Sequence, residues 1–320
     1  MRLQQRIAMV RGFTLVELMI SLLLGTFLIA GVIGVYIANS RTSLVNEEMG
    51  QMQQASQVSF QLLSRDIQHA GYAGCANITT SRVVNMLNPQ PWWTNWVGGI
   101  QGYENIGLPH FGDANIPWLD GTDRLHLMYG RGVSSSVVAH NAVAVPPMVI
   151  NQNLGGIVSN DIVMGCDSKM AVIFRATTVD GNDVSHAVGG AVPANTDLNF
   201  GIDPAGNSFL QNISSDVGTI MALESIGWYV GTQNGVDSLY RVALIAGEVV
   251  IEEVVQNVTG FELQYLELNA NNYVNADLVT DWGAVMSVRA TLTMAEDPQM
   301  PMAIGMRQIT QVINLRNRKE

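Results

Sequence analysis

An unbroken apolar segment near the N-terminus constrains this chain more than any other feature. It covers residues 13–38, and Glu17 carries its only charge. A helix of about 20 apolar residues crosses the hydrocarbon core of a bilayer, so the segment is long enough to span a membrane. Arg2, Arg6 and Arg11 precede it. Basic residues on this side hold the N-terminus in the cytoplasm and place the bulk of the chain outside.

Two conventional alternatives explain the segment less well. A cleavable signal peptide has an apolar region of about 7–15 residues followed by a small-x-small cleavage site. The segment here is longer, and neither Ala30 nor Ala38 lies in a convincing site. A plain signal anchor leaves Glu17 unexplained, because a carboxylate in a membrane helix costs up to roughly 2.5–3.5 kcal/mol on insertion scales. We therefore treat Glu17 as a candidate functional residue.

The start of the apolar segment resembles the class III signal of type IV prepilins and type II secretion pseudopilins. It reads GFTLVELMI over residues 12–20. In that family a membrane prepilin peptidase cuts after the glycine on the cytoplasmic face and N-methylates the new first residue. The resemblance implies a leader peptide of residues 1–12, cleavage between Gly12 and Phe13, an N-methylated Phe13, and an acidic assembly residue at Glu17.

Electrostatics gives Glu17 a role that fits this resemblance. Cleavage would create a cationic amine at Phe13, and Glu17 is an anion one helical turn further on. Either charge alone is costly to bury, whereas an amine and a carboxylate paired between neighbouring subunits compensate each other. We therefore expect Glu17 to set the axial register of subunits during assembly.

Helical spacing continues beyond the membrane segment and stops at a glycine. Apolar residues recur at Val45, Met49, Met52, Ala55, Val58, Leu62, Ile67 and Ala70. Gly71 suits a helical C-cap, and His69 lies in the last turn. The pattern predicts one helix over residues 13–70, with residues 13–38 as the transmembrane and assembly segment.

The periodicity after residue 71 is typical of strands. Val285–Met294 alternates between apolar and polar side chains, as do residues 240–244 and 261–265. Further strand candidates are residues 125–129, 162–164, 170–178, 226–230 and 306–315. The density of strand candidates after the predicted helix predicts the α+β class, with a β-rich, mainly antiparallel head of residues 71–320 packed on the long helix. Residues 76–160 are irregular and are interpreted as a long insertion.

Two short stretches resemble the PilW family of minor pilins more closely than other pilins. One is DIQHAGYAGC over residues 66–75, at the end of the predicted helix, and the other is VINLRNR over residues 312–318. The chain's length also fits this family better than it fits the major pilins. The resemblance implies a low-copy subunit that joins other minor pilins in a complex that primes pilus assembly and lies near the tip.

The expected partners follow from charge and from the resemblance. The net charge of −11 argues against nucleic acid, because a nucleic-acid binder needs a basic face to displace counterions from phosphate. The resemblance implies contacts with other minor pilins, the major pilin, the prepilin peptidase and the inner-membrane assembly platform, with a large tip adhesin as a further candidate. It places the head in the periplasm before assembly and at the pilus tip on the cell surface afterwards.

The chain has two cysteines, Cys75 and Cys166, without a CxxC motif or a Cys/His cluster that would indicate zinc. In an oxidising compartment two cysteines form a disulfide, and the alternative is a pair of unrelated buried thiols. Export of the head, which the N-terminus implies, favours a Cys75–Cys166 bridge.

Sequence patterns that indicate catalysis are missing. The histidines form neither an HExxH motif nor a close pair in the sequence, and GxSxG and P-loop motifs are absent. We therefore expect no enzyme, no cofactor and no metal site. Residues 180–183 and 269–277 are acidic loops without EF-hand spacing, so we interpret them as turns and leave calcium binding open. The cluster of Trp92, Trp93 and Trp96 is either a partner-binding patch or local core.

Two other functions share the N-terminal signal. A large minor pseudopilin of a type II secretion system is the nearest alternative. A pilin-anchored adhesin head that binds a glycan or a surface is the second, and residues 76–160 are its candidate surface.

Overall fold

The computed structural model describes residues 14–74, 82–104, 111, 115–141, 148–198, 200, 206, 209, 218–245, 248–295 and 307–318. The chain forms two compact units. The first unit holds residues 1–53 and 299–304, and the second unit holds residues 54–298 and 305–320. The expected Gly12–Phe13 cleavage site and Cys75 lie outside the described residues.

A single long helix opens the described chain. Helix α1 spans Leu15–His69, which confirms the helix predicted from the apolar spacing. It ends because Gly71 adopts the left-handed conformation with φ of 78°. A Cβ atom at Gly71 would lie 3.1 Å from the carbonyl oxygen of Gly98. Both the backbone conformation and this close approach therefore require glycine.

The buried face of α1 differs in part from the predicted one. Ile67 and Ala70 are fully buried as expected, but the buried residue one turn earlier is Leu63 rather than Leu62. Val58, which the apolar spacing placed on the inner face, is 49% exposed. Single apolar residues on the outer face of a helix are common, so spacing alone did not identify the buried positions.

The strands after α1 are β1 (Val83–Asn85), β2 (Leu87–Asn88), β3 (Ile100–Tyr103), β4 (Arg124–His140), β5 (Met148–Ile150), β6 (Ile162–Cys166), β7 (Ala171–Arg175), β8 (Thr178–Asp180), β9 (Asp183–Ser185), β10 (Ala194–Asn195), β11 (Thr219–Gln233), β12 (Val236–Ile245), β13 (Glu248–Gln256), β14 (Val258–Glu267), β15 (Val285–Met294) and β16 (Arg307–Asn314). Short 3₁₀ helices lie at Trp92–Thr94, Ala276–Leu278 and Trp282–Ala284.

Most strands belong to one large sheet. Its main path follows the order β1-β7-β6-β11-β4-β5-β9-β8, while β12 and β13 extend it beside β11 and β3 pairs with β4. A second sheet has the order β14-β15-β16, and β2 pairs with β10. The pairing is antiparallel except between β1 and β7. The α+β class with a mostly antiparallel β-rich domain is therefore confirmed.

Each strand candidate overlaps an observed strand, although the candidate 170–178 covers β7 and the first residue of β8. The region interpreted as an insertion contains more order than the sequence indicated. Strand β4 falls within residues 76–160 and pairs with the central strand β11 from Leu125↔Trp228 to Ser136↔Thr219. This part of the range is thus integral to the sheet. The pairing joins segments that are far apart in the sequence, and local composition does not report such contacts.

Candidate functional site: the assembly segment and the helix-end joint

The N-terminal end of α1 is capped by two side chains of the predicted signal. The backbone N–H of Glu17 donates to Thr14 Oγ1 at 3.3 Å, and the backbone N–H of Thr14 donates to Glu17 Oε2 at 3.4 Å. This reciprocal arrangement is a capping box. Glu17 therefore has a local role in starting the helix, which is separate from its predicted role in assembly.

The first turns of α1 expose an apolar surface on all sides. Leu15, Phe27, Leu28 and Tyr36 are between 70% and 80% exposed, and no part of the most apolar window of the helix is buried. By length and composition α1 is long and apolar enough to cross a membrane. The predicted transmembrane and assembly segment of residues 13–38 lies in this part of the chain.

The C-terminal end of α1 carries a buried carboxylate that the sequence analysis did not single out. Asp66 is fully buried, and Arg241 of β12 donates its Nε–H to Asp66 Oδ2 at 2.8 Å. Trp228 of β11 donates its indole N–H to the same oxygen at 3.1 Å, and the hydroxyl of Tyr129 in β4 donates to Oδ1 at 3.4 Å. One helix side chain thus bonds to three strands of the large sheet.

The ion pair of Asp66 and Arg241 belongs to a larger network of charged side chains. Arg241 also lies 3.6 Å from Glu224 and 3.7 Å from Glu252. Burial by itself lowers the pKa of Arg241, but the hydrogen bond and charge of Asp66 outweigh it and raise the pKa above its usual value. Burial, together with the charges of Asp66 and Glu224, raises the pKa of Tyr129, which keeps its hydroxyl a donor. Arg241 therefore stays charged, and the Tyr129 hydroxyl stays protonated.

The C-terminal segment closes over the same end of α1. The backbone N–H of Arg316 donates to the carbonyl of Gln68 at 3.2 Å, and the Asn317 side chain donates to the carbonyl of His69 at 3.2 Å. Arg318 donates to the carbonyl of Gly98, and to that of Trp282 at 3.3 Å. The last carbonyls of a helix lack intrahelical donors, and this segment donates hydrogen bonds to two of them.

These contacts join the two stretches on which the PilW resemblance rests. Residues 66–74 of the first stretch and residues 312–318 of the second are distant in sequence, yet Asn317 contacts the helix end where the first stretch begins its turn. We call the contacts of Asp66 and of Arg316–Arg318 together the helix-end joint. All of its residues belong to the second unit.

The structure describes one of the two cysteines of the predicted disulfide. Cys166 is the last residue of β6 and is 1% exposed. Its Sγ atom lies 3.0 Å from the carbonyl oxygen of Ala73, two residues before Cys75 in the chain. Because Cys75 lies outside the described residues, the Cys75–Cys166 bridge stays a prediction.

The tryptophan cluster is largely core. Trp93 and Trp96 are 6% and 7% exposed and pack in one apolar cluster with Met128, and Trp92 is half-buried against the Phe111 ring at a centroid distance of 4.6 Å. The structure therefore assigns the three side chains to packing of the head, in line with the second of the two interpretations.

The histidines are less scattered than the sequence indicated. The Nε2 atoms of His140 and His186 lie 3.2 Å apart, because β5 pairs with both β4 and β9 and so brings the ends of those strands together. Burial, with a smaller contribution from His140, lowers the pKa of His186 to about 4. Among the residues that the structure describes, no group of three or more His, Cys, Asp or Glu side chains could hold a metal ion.

The two acidic loops form turns. Asp180 and Asp183 are paired at the end of the β8–β9 hairpin, around Gly181 with φ of 60°. In the second loop, Val274 exchanges two backbone hydrogen bonds with Tyr265 of β14, at 2.7 and 2.8 Å. Both observations fit the turn interpretation of these sequences.

Comparison with protein families gives one match. Residues 7–33 match the model of the prokaryotic N-terminal methylation motif. No curated protein sequence matches the chain, and no solved structure matches it. The motif match and the apolar helix support a type IV prepilin-like or pseudopilin-like protein with membrane association. Proteins with this motif are structural rather than catalytic.

Proposed function

We propose that the chain is a minor pilin of the PilW type, a low-copy subunit that primes assembly of a type IV pilus and lies at or near its tip. The observation that carries the proposal is the methylation motif over residues 7–33, placed at the start of a long apolar helix that ends in a large β-rich head. Its partners are other minor pilins, the major pilin, the prepilin peptidase and the inner-membrane assembly platform.

The apolar surface of α1 supports assembly as the working principle. Before assembly, lipid is the solvent for this surface in the inner membrane, and afterwards the apolar helices of neighbouring subunits take the place of lipid. Glu17 meets the cationic Phe13 amine of a neighbour in this environment. An unpaired charge there is strongly unfavourable, so the pairing selects one axial register.

The size of the head supports a place at the tip. Each subunit in a shaft is surrounded by neighbours, and a head of about 250 residues with long loops would have to be accommodated at every position. A subunit at the tip has a free upper surface. We therefore expect the protein at a small fraction of the copy number of the major pilin.

The helix-end joint supports a defined surface on the head. Asp66 bonds the last turns of α1 to the large sheet, and Arg316 and Asn317, which follow β16 of the second sheet, donate to the last carbonyls of the helix. The joint therefore holds the adjoining strands in fixed positions on the last turns of α1, and an initiator needs such a defined surface to present to the next subunit.

A clean deletion tests the proposal. Loss of the protein should reduce the number of fibres, and their width and composition should stay the same. Fibres should be sheared and counted in cells that can retract pili and in cells that cannot. Unchanged fibre number in both backgrounds would exclude the priming role, and abundance equal to that of the major pilin would exclude the tip. Intact pili with failed protein secretion would instead indicate a pseudopilin.

A further inference from the structure

Strand β16 presents an open edge. It pairs with β15 along its whole length without a bulge. On its other side no strand pairs with it in the part of the chain that the structure describes. An unpaired edge exposes a row of backbone donors and acceptors, and it is a template for another strand.

The direction of each backbone group on β16 follows from one hydrogen bond. The backbone N–H of Leu315 donates to the carbonyl of Met286 at 2.9 Å. Opposed residues in an antiparallel pair alternate between bonded and non-bonded pairs. The register then directs the N–H and C=O groups of Thr310 and Val312 away from β15, toward the open edge.

A hydrogen bond outside the strand supports this assignment. By the same alternation, the N–H of Arg316 also points away from β15. That N–H donates to the carbonyl of Gln68 at the end of α1. The helix thus takes the first bonding position on this edge, and the positions at Thr310 and Val312 remain for another chain.

A groove of about 740 Å³ runs between this edge and α1. Phe60, Gln61 and Arg65 line it on the helix side, and Ile309 and Gln311 line it on the strand side. Ile309 and Gln311 lie opposite the buried residues Leu292 and Ala290, so they belong to the inner face of the sheet. A strand added to β16 would place every second side chain in this groove.

One end of the groove is cationic. Arg65 and Arg316 line it there, and both also line an adjoining groove of about 570 Å³ that includes Arg131 and one carboxylate, that of Glu224. The Arg65 side chain is 54% exposed, although its guanidinium also lies 3.2 Å from the buried Asp66 carboxylate. The guanidinium of Arg316 makes no hydrogen bond or ion pair with any residue that the structure describes. These arginines stand out in a chain with a net charge of −11, and their planar donors suit a carboxylate.

We propose that β16 is a strand-addition site for an extended segment of a partner subunit that carries an acidic side chain opposite Arg65 and Arg316. Backbone hydrogen bonds to Thr310 and Val312 would provide affinity, and the groove would select alternate side chains, as in other proteins that bind peptides at a sheet edge. The inference rests on the proposed function only in identifying the partner as a neighbouring subunit of the assembly.

The binding test uses the full-length chain in detergent and a panel of fluorescent ten-residue peptides. The peptides alternate threonine and valine and carry glutamate, glutamine or lysine at either end. We expect a glutamate peptide to bind best, and Arg316→Gln to remove its advantage over the glutamine peptide. Methylation of alternate peptide amides should abolish binding. If no peptide binds, or if lysine peptides bind best, the proposal is wrong.

The edge itself is tested with a matched pair of variants. Val312→Pro removes an outward N–H that β15 does not use, a position where a sheet edge tolerates proline. Loss of one hydrogen bond should weaken peptide binding about five- to tenfold, whereas Val312→Thr, which keeps the N–H, should bind as the parent does. In the complex the amides of Thr310 and Val312 should gain protection from hydrogen exchange. Equal binding by both variants, or protection elsewhere, would overturn the proposal.

The outcomes separate this inference from the proposed function. The peptide assay involves no fibre, so failed binding leaves a priming role intact. Conversely, unchanged fibre number after deletion of the protein would exclude the priming role without affecting a strand-addition site that binds peptide in solution.

Discussion

Replacing Asp66 by asparagine should destabilise the second unit by about 3 kcal/mol, near the lower end of the range for breaking a buried ion pair. The asparagine oxygen can still accept from either Trp228 or Tyr129, which donate to different oxygens of Asp66, but the charge of Arg241 loses its partner at 2.8 Å. Arg241 keeps Glu224 at 3.6 Å and Glu252 at 3.7 Å, which limits the loss.

Arg65→Gln is the matched control. Arg65 contacts the same carboxylate at 3.2 Å, but its side chain is 54% exposed, whereas that of Arg241 is 9% exposed. Exposed ion pairs contribute at most about 1 kcal/mol. We therefore expect Arg65→Gln to change the free energy of unfolding much less than Asp66→Asn, although each substitution removes one charge from the same ion pair.

Thermal unfolding of the full-length chain in detergent, followed by tryptophan fluorescence, measures both variants. For a unit of this size about 3 kcal/mol corresponds to a decrease in Tm of roughly 6–12 °C. The double variant Asp66→Asn with Arg241→Met should lose less than the sum of the single variants, because the two side chains interact directly. Equal Tm values for Asp66→Asn and Arg65→Gln, or strict additivity, would refute the reasoning.

Three further predictions concern assembly, redox state and pH. Glu17→Gln keeps the capping oxygen and removes the charge, so it should be inserted normally but poorly recruited into fibres, and normal recruitment would contradict the register argument. The Cys75–Cys166 bridge should stabilise the head by roughly 4–5 kcal/mol, and two alkylatable thiols in exported protein without reductant would exclude it. Burial lowers the pKa of His126 to about 3 and that of His186 to about 4. Since the unfolded chain binds these protons below about pH 6.5, the free energy of unfolding should fall between pH 7 and 5.5, and a constant value there would contradict the burial of both rings.

The elements predicted best from the sequence are those encoded by local patterns. Helix α1 was predicted from an apolar run, from continued helical spacing and from a glycine suited to φ above zero. Strict alternation defined β15, whose residues from Val288 to Met294 alternate between buried and half-buried. By contrast, β13 has the sequence EVVIEEVVQ, which does not alternate, and a bulge interrupts its pairing with β12. No strand was predicted there.

The helix-end joint shows why contacts between distant residues could not be predicted from the sequence. A carboxylate in a helix is usually solvated, and the partner Arg241 lies 175 residues away. A signal was nevertheless present, because Asp66 stands between Leu63 and Ile67 on the spacing that defines the buried face. A charged residue on an apolar stripe implies a buried partner, but which of the chain's basic residues fulfils that role is decided by the fold.

The N-terminus of the mature protein tests the central claim most directly. If the chain is processed as a prepilin, mass spectrometry of protein from membranes should find a chain that lacks residues 1–12 and begins with N-methylated Phe13. Gly12→Val should leave the uncut precursor in the membrane. A mature protein that retains Met1, or that begins at any residue other than Phe13, would contradict the account.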